Sequence, residues 1–336
     1  MLLQTHPTGN AFVRNLAEGL VEENLLSEFW TCLDYPEHDG WLRILPPALL
    51  KEARRRQLPA AVKPFRHLQP TREIGRLLGN RLGLGSQIRG ETSPFSVDGV
   101  YQALDRRVAK RLSSSSRFRG VYAYEDGAEA TFTMARSRGI KTFYELPIGY
   151  WRAARRILGE EAELSPAWAA TLKGNRDSDA KLARKDRELE LADTVIVAST
   201  FTRSTLLESP DAPRDIVQVP YGAPQGLPHA RPAVRATGTP LRVLFVGSLG
   251  QRKGLRYLLE AMDQLGSGFE LTLIGTVPSE RCDPLAAGLR RHHHIASLPH
   301  ARILEEMGRH HVFVFPSLFE GFGLVLPEAM SCGLPV

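Results

Sequence analysis

Short, continuously apolar runs alternate with helical patterns along most of this chain, and that alternation restricts the fold more than any other feature. Thr194-Val195-Ile196-Val197-Ala198 has the continuous apolar character of a strand buried on both faces of a parallel sheet, and Leu241-Arg242-Val243-Leu244-Phe245-Val246-Gly247 reads as a second buried strand. Gly120-Val121-Tyr122-Ala123-Tyr124, the segments 139–145 and 269–275, and His311 to Pro316 read the same way, and Leu2-Leu3 opens a first short strand. Helical patterns lie between them. Phe12, Leu16, Leu20 and Val21 recur at spacings of three to four, and Asp186 to Leu191, Leu255 to Leu265 and Pro327 to Ser331 follow suit. Ser199-Thr200 suits the cap of a further helix. Strand–helix alternation predicts an α/β fold with mainly parallel sheets, whose ligands bind beyond the C-terminal ends of the strands.

The alternation occurs twice. Prolines 210, 213, 220, 224, 228, 232 and 240 cluster with Gly222, Gly226 and Gly238, a composition that helices and central strands reject. This predicts an N-terminal domain over 1–220, a linker over 221–240 and a C-terminal domain over 241–336. Val336 reads as the first or second residue of a further strand, so the second domain is expected to be incomplete, with a bare sheet edge.

The bulk numbers exclude several classes. No stretch approaches the ~20 apolar residues of a membrane-spanning helix, and Met1 to His6 lacks a secretory pattern. Cys32, Cys282 and Cys332 are too scattered for a disulfide framework. They predict packing roles and a cytoplasmic location. The balance is basic, 43 Lys+Arg against 37 Asp+Glu for a net charge of +6. Two clusters carry much of it: Lys51 to Arg56, and Arg106 to Arg111 continuing to Arg117 and Arg119. Neither interleaves aromatics as a base-stacking surface does, so nucleic acid is not expected. Each reads as a solvated helix face, or as a surface for anionic lipid or an acidic acceptor at the inner face of a membrane.

Two segments carry the candidate chemistry. In Phe319-Glu320-Gly321-Phe322-Gly323-Leu324-Val325-Leu326-Pro327-Glu328, Glu320 lies in the loop after a buried strand and Glu328 in the first turn of the next helix. Gly321 and Gly323 let backbone amides approach a ligand, and a helix N-terminus favours a diphosphate. Two carboxylates there suit hydroxyl groups, as of a sugar and a ribose. The structural alternative is a solvated Glu320 and a Glu328 that complements the helix dipole. In Gly247-Ser248-Leu249-Gly250-Gln251-Arg252-Lys253-Gly254, a glycine turn links strand to helix, yet matches neither the Walker loop nor the dinucleotide fingerprint. It presents Arg252 and Lys253 as fixed cations for a nucleoside diphosphate, or as an exposed basic helix start. His6-Pro7-Thr8-Gly9-Asn10 is a weaker glycine loop, and His6 alone reads as packed or solvated. His292-His293-His294 and His310-His311 lack partners at metal-ligand spacing, so no metal is expected. Glu145 reads as a solvated strand end.

Together these residues resemble the family 4 retaining glycosyltransferases, also called glycosyl transferases group 1. The hallmark runs Glu320-Gly321-Phe322-Gly323-Leu324 through Glu328-Ala329 to Gly333-Leu334-Pro335-Val336. Lys253-Gly254, Leu191-Ala192-Asp193-Thr194-Val195-Ile196 with Ser199, and Val219-Pro220-Tyr221-Gly222 match as well. The resemblance covers the chain from about residue 120 onward plus the loop at His6–Asn10; residues 35–115 are not distinctive.

It implies a GT-B fold, two Rossmann-like parallel-sheet domains facing a cleft, with the acceptor side in the first and a nucleotide sugar, UDP- or GDP-linked, in the second. It implies sugar transfer to a hydroxyl acceptor with retention, in polysaccharide, cell-envelope or glycoconjugate synthesis, without a cofactor or metal. By the same resemblance Glu320 contacts the donor sugar, Glu328 the ribose, and Arg252 and Lys253 the diphosphate. Gly9, Gly247, Ser248 and the backbone of Gly321, Phe322, Gly323 and Leu324 complete the donor contacts. Two positions depart from the family pattern. Ser248 stands where many members have arginine, and Phe143 to Pro147 lacks the histidine that many members place at that strand end. Two other functions fit the same features: a nucleotide-sugar-processing enzyme such as an epimerase, and a nucleotide-sugar-binding module without activity.

Overall fold

The computed structural model describes residues 1–35, 56–88, 90–172, 177–210, 215–223, 236–279 and 281–336. Residues 51–55 of the first basic cluster, and 211–214 and 224–235 of the proline-rich run, lie outside them. Backbone contacts divide the chain into two compact units. The first comprises Met1–Pro147, Ser178–Val197 and Ser209–Val219; the second comprises Ile148–Asp177, Ala198–Glu208 and Pro220–Val336.

In chain order the first unit opens with β1 (Leu2–Thr5), α1 (Ala11–Glu22), β2 (Leu26–Thr31), β3 (Arg66–Leu68), α2 (Thr71–Arg81) and α3 (Gly85–Ile88). It continues with α4 (Val97–Ser113), β4 (Gly120–Tyr124), α5 (Glu129–Ser137) and β5 (Lys141–Leu146). The chain then leaves for the second unit with α6 (Trp151–Leu164), returns for α7 (Asp179–Glu190) and β6 (Thr194–Val197), leaves again for α8 (Thr200–Thr205), and returns for β7 (Ile216–Gln218). The seven strands form one sheet in the order β3-β2-β1-β4-β5-β6-β7. Every pairing is parallel. The order reverses between β1 and β4, so the loop His6–Asn10 leaves the sheet at its switch point, where such sheets bind ligands.

The second unit adds β8 (Leu241–Val246), α9 (Leu255–Leu265), β9 (Phe269–Ile274), α10 (Asp283–Arg291), β10 (His293–Ile295), α11 (His300–Arg309), β11 (Val312–Phe313) and α12 (Val325–Ser331). Its parallel sheet runs β10-β9-β8-β11, again with a reversal, here between β8 and β11. The period-2 alternation of strands divides the apolar side chains between two faces. Val243, Phe245, Leu271 and Leu273 pack with Leu255, Leu258, Leu259, Met262 and Leu285. Leu244, Val246, Ile274 and Phe313 pack with Met307, Ala329, Cys332 and Leu334 on the other side. The predicted strand from His311 to Pro316 shortens to two residues, and the chain bends away into the site loop after Phe313.

The cysteines are all buried and unbonded, as their packing reading required. Among the described residues no helix is long and apolar enough to cross a membrane. The second basic cluster is only partly a solvated face. Arg111 and Arg117 both clasp the buried Glu28, which also accepts from Trp30 Nε1 at 2.7 Å. Burial alone raises that carboxyl, but the Arg111 and Trp30 hydrogen bonds outweigh it and hold Glu28 below the usual carboxylate range.

Two more carboxylates of the first unit are structural. Glu145 is not a solvated strand end: it is buried and accepts from Tyr122 Oη at 2.6 Å. Glu188, on the buried face of α7, accepts from the Asp126 and Ala128 amides at 2.9 and 3.0 Å and from Tyr144 Oη at 3.2 Å. It thereby holds the turn that starts α5, and its burial pushes the carboxyl up to about 8. Glu188→Ala orphans both amides and is expected to lower the unfolding free energy by about 2–4 kcal/mol. Urea melts followed by circular dichroism would read this, and an unchanged midpoint would show that water replaces the carboxylate.

Candidate functional site

At the switch point of the second sheet, the loop after β8 and the loop after β11 lie side by side. The first begins at Gly247, passes Ser248 and Gly250, and closes as a 3-10 turn over Gln251–Lys253. Gly254 ends that turn with φ +70, and a Cβ there would stand 2.0 Å from the Pro316 carbonyl oxygen. Only glycine meets both demands, the left-handed backbone and the close approach. The contact brings the second loop against the first. Leu318 N donates to the Arg252 carbonyl at 2.9 Å, and Arg252 Nη1 donates to the Phe319 carbonyl at 2.8 Å.

Arg252, Lys253 and Glu320 converge there. Lys253 Nζ contacts Glu320 Oε2 directly, and Arg252 Nη1 lies 3.5 Å from the same oxygen. Lys253 is not an exposed cation of a helix start. Its side chain is 11% exposed, and its ammonium stands 4.3 Å from the Phe315 ring centroid. Burial, with Arg252 second, pushes the Lys253 ammonium down to about 7, while the Glu320 carboxylate pulls the other way. Burial also lowers the Arg252 guanidinium, which remains charged at any working pH. Glu320 Oε1 accepts from the Gly321 amide at 3.2 Å, so the carboxylate spans the cation pair and the start of the glycine-rich turn.

The remainder of that turn is held from elsewhere in the unit. Ser199 caps α8, accepting from Thr202 N at 3.1 Å, and its hydroxyl also donates to the Gly321 carbonyl. Thr202 Oγ1 reaches the same carbonyl at 3.2 Å. Phe322 meets Tyr221 edge-on, with ring centroids 5.6 Å apart. Gly323 has φ +69 and turns the chain into α12. Leu324 is exposed. Glu328, in the first turn of α12, pairs with His300 Nε2 at 2.9 Å.

Sequence reasoning missed Gln251. It is wholly buried, and its side chain donates to Glu161 Oε1 at 2.8 Å and accepts from the Arg256 amide at 2.8 Å. Its own amide donates to Thr171 Oγ1 at 2.9 Å. Glu161, on α6, also accepts from Tyr257 Oη and Ser165 Oγ, both at 2.7 Å. Burial would raise this carboxyl, but the bonds from Tyr257, Ser165 and Gln251 hold it below the usual range. A glutamine beside two cations looks solvated, and no spacing rule links residue 251 to residue 161.

The first unit holds Gly9 at the switch point of its own sheet. His6 is buried and accepts the Thr8 and Gly9 amides on Nδ1 at 3.1 and 3.0 Å. Burial pushes its ring down to about 3, so it is a neutral acceptor that shapes the loop. His294 and His311, from the two histidine runs, serve the backbone: His294 Nε2 lies 3.0 Å from the Gly275 carbonyl, and His311 Nδ1 accepts from Arg242 N at 2.8 Å. Among the described residues no group of three or more His, Cys, Asp or Glu could hold a metal ion.

Residues 240–336, which contain both loops, match the family described as Glycosyl transferases group 1. Solved structures share the fold across the whole chain. Sucrose-phosphate synthase from Thermosynechococcus elongatus superposes with a TM-score of 0.60 at 17% identity, covering 100% of this chain and 80% of that one. The lipopolysaccharide outer core galactosyltransferase WaaB, in its apo form, gives 0.55 at 13%, covering 100% and 79%. HepE from Anabaena, in complex with UDP and glucose, gives 0.53 at 15%, again covering 100% and 79%. No curated protein sequence matches the chain. The chain therefore has the GT-B fold of these structures, and its residues 240–336 match the group 1 glycosyl transferases.

The Gly254 geometry gives a paired test. Gly139 also has positive φ, +65, but a Cβ there meets nothing within 4 Å. Gly139→Ala should cost about 1–2 kcal/mol, the left-handed penalty alone. Gly254→Ala should cost roughly twice that or more, because the two loops must also separate. Equal losses in denaturant titrations would show that Pro316 yields freely.

Proposed function

We propose that this chain transfers a sugar from a UDP- or GDP-linked donor to a hydroxyl acceptor with retention of anomeric configuration, and that it needs no metal. The observation that carries this reading is the Arg252–Lys253 cation pair, fixed by Gly254 and closed on Glu320, within the group 1 segment. The HepE complex with UDP and glucose supports the donor class by likeness of fold.

In the proposed reaction the diphosphate lies on Arg252 and Lys253. The bond from the anomeric carbon to the phosphate oxygen breaks, and negative charge builds where these cations stand. The acceptor hydroxyl attacks from the face the phosphate leaves and gives its proton to the departing oxygen. Glu320 holds the donor-sugar hydroxyls, Glu328 the ribose, and the backbone from Gly321 to Leu324 lies along the donor. Gly247 and Ser248 line the turn. Cationic side chains fill the place of a divalent ion, and Ser248 leaves Arg252 to do the work of the family's loop arginine. The cellular role proposed is synthesis of a polysaccharide, cell-envelope or glycoconjugate product in the cytoplasm.

Glu320→Gln should lower turnover about 100-fold or more if the carboxylate acts in the transition state, with donor affinity changed far less. The assay is a panel of UDP- and GDP-sugars with added acceptors, product configuration being read by NMR. Full activity in that variant would sink the site assignment. An epimer formed from the donor alone would point to sugar processing, and binding without turnover to a non-catalytic module.

Lys253 supplies a second test. Its cationic form binds the diphosphate, and its pKa is lowered to about 7 in the free protein. Donor affinity should therefore be flat below about pH 7 and fall above it, by at most about tenfold per pH unit, until the bound-state pKa is reached. Lys253→Arg keeps its charge throughout and should flatten the profile. Calorimetric titrations with a nucleotide sugar between pH 6 and 8.5 would measure both, and a flat wild-type curve would refute the role given to Lys253.

A further inference from the structure

A polar cavity of about 500 Å³ lies wholly in the first unit, between the N-terminal ends of α4 and α7 and the start of α2. Both α4 and α7 lead back into parallel strands, β4 and β6, so their N-termini stand at the ligand-binding side of the sheet. Four cations line the cavity, Arg72, Arg106, Lys181 and Arg184, against two carboxylates, Glu91 and Asp98. The carboxylates are already engaged. Glu91 accepts from Ser178 N at 3.0 Å and from the Ser178 hydroxyl. Asp98 is 3.0 Å from Arg184 Nη2 and 3.6 Å from Lys181 Nζ.

Arg72 and Arg106 make no ion pair among the described residues. Arg72 donates to the Pro94 carbonyl at 3.0 Å and Arg106 to Gln102 Oε1 at 3.5 Å. Arg184 Nε is buried and meets no acceptor among the described residues. A buried guanidinium donor left unpaired is costly unless something else satisfies it. The basic cluster beginning at Arg106 is thus divided: Arg111 and Arg117 serve Glu28, while Arg106 faces this cavity.

We propose that this cavity binds a phosphate monoester on a small hydroxylated molecule. Two guanidiniums without counter-charge among the described residues, beside the amide ends of two helices, match a dianion in charge and in geometry. The volume suits a ligand of monosaccharide size, and the engaged carboxylates and the side chains of Gln102, Thr92 and Ser93 offer acceptors and donors for its hydroxyls. The ligand is the acceptor substrate, an assignment that rests on the transferase function proposed above; the anion site itself does not.

The test is calorimetric titration of the full chain with inorganic phosphate, a hexose 6-phosphate and the neutral hexose, all at saturating UDP or GDP, whichever binds, so that phosphate at the donor loops does not contribute. Saturable binding of the hexose phosphate, tighter than that of the neutral sugar and weakened at least tenfold in Arg72→Ala/Arg106→Ala, is the expected result. The lysine variants at both positions should retain most of it. Neither arginine holds an ion pair among the described residues, so the melting temperature should hardly move. Sedimentation with vesicles containing phosphatidic acid distinguishes a lipid phosphate headgroup from a soluble ester as the source. Absence of saturable binding to either form, or binding indifferent to the double substitution, overturns the site. If neither UDP nor GDP binds but the arginine effect persists, the transferase reading falls and the anion site stands.

Discussion

The second unit depends on a reciprocal bond between two loops. The Arg252 carbonyl takes the Leu318 amide, and the Arg252 guanidinium takes the Phe319 carbonyl. One residue therefore satisfies a donor and an acceptor of its neighbour loop while leaving its charge facing Glu320. Neither loop has a ladder partner of its own at that point, so without the bond each would carry unpaired backbone groups at the mouth of a parallel sheet. Gly254 makes the approach feasible and Phe315 floors it, and Lys253 is carried into place as a consequence.

Support for this pair of loops comes from segments remote in sequence. Phe319 packs with Ala153, Ala154 and Leu158 of α6, and a Cβ on Gly149 would stand 2.6 Å from the Phe319 ring. Gln251 is tied to Glu161 and Thr171, and the Gly321 carbonyl to Ser199 and Thr202. Each tie is a hydrogen bond of about 1 kcal/mol net, but together they fix three backbone turns. A preorganised polar arrangement of this kind costs no rearrangement when charge develops against it.

Strands β1, β4, β5, β6, β8, β9 and β11 and the two glycine loops were legible because each rests on local chemistry: mainly apolar runs, and glycines at turns that a side chain would block. Strands β2, β3, β7 and β10 were not: Ser27 and Glu28 interrupt the apolar run of β2, and short segments such as His293-His294-Ile295 have neither alternation nor an apolar run. The buried carboxylates Glu28, Glu145, Glu161 and Glu188 were equally invisible. Nothing in the sequence around a glutamate reports that a guanidinium, tyrosine or amide from far along the chain will meet it. The basic clusters show the same limit from the other side. Arg111 and Arg106 sit on one helix, yet one is spent on Glu28 and the other opens on a cavity, and only tertiary packing separates them.

The interleaving of the two units has a consequence for the order in which the protein is made. α6 and residues 198–208 belong to the second unit, but they are synthesised before its sheet exists. Leu158 leaves the ribosome 161 residues ahead of Phe319, the side chain it packs with. At about 5–20 residues per second that is a wait of roughly ten to thirty seconds. Through that interval the first sheet can close around β1 and β4, while Trp168, Phe201 and the apolar face of α6 remain without their partners. A slowed or truncated translation product would therefore expose these surfaces first.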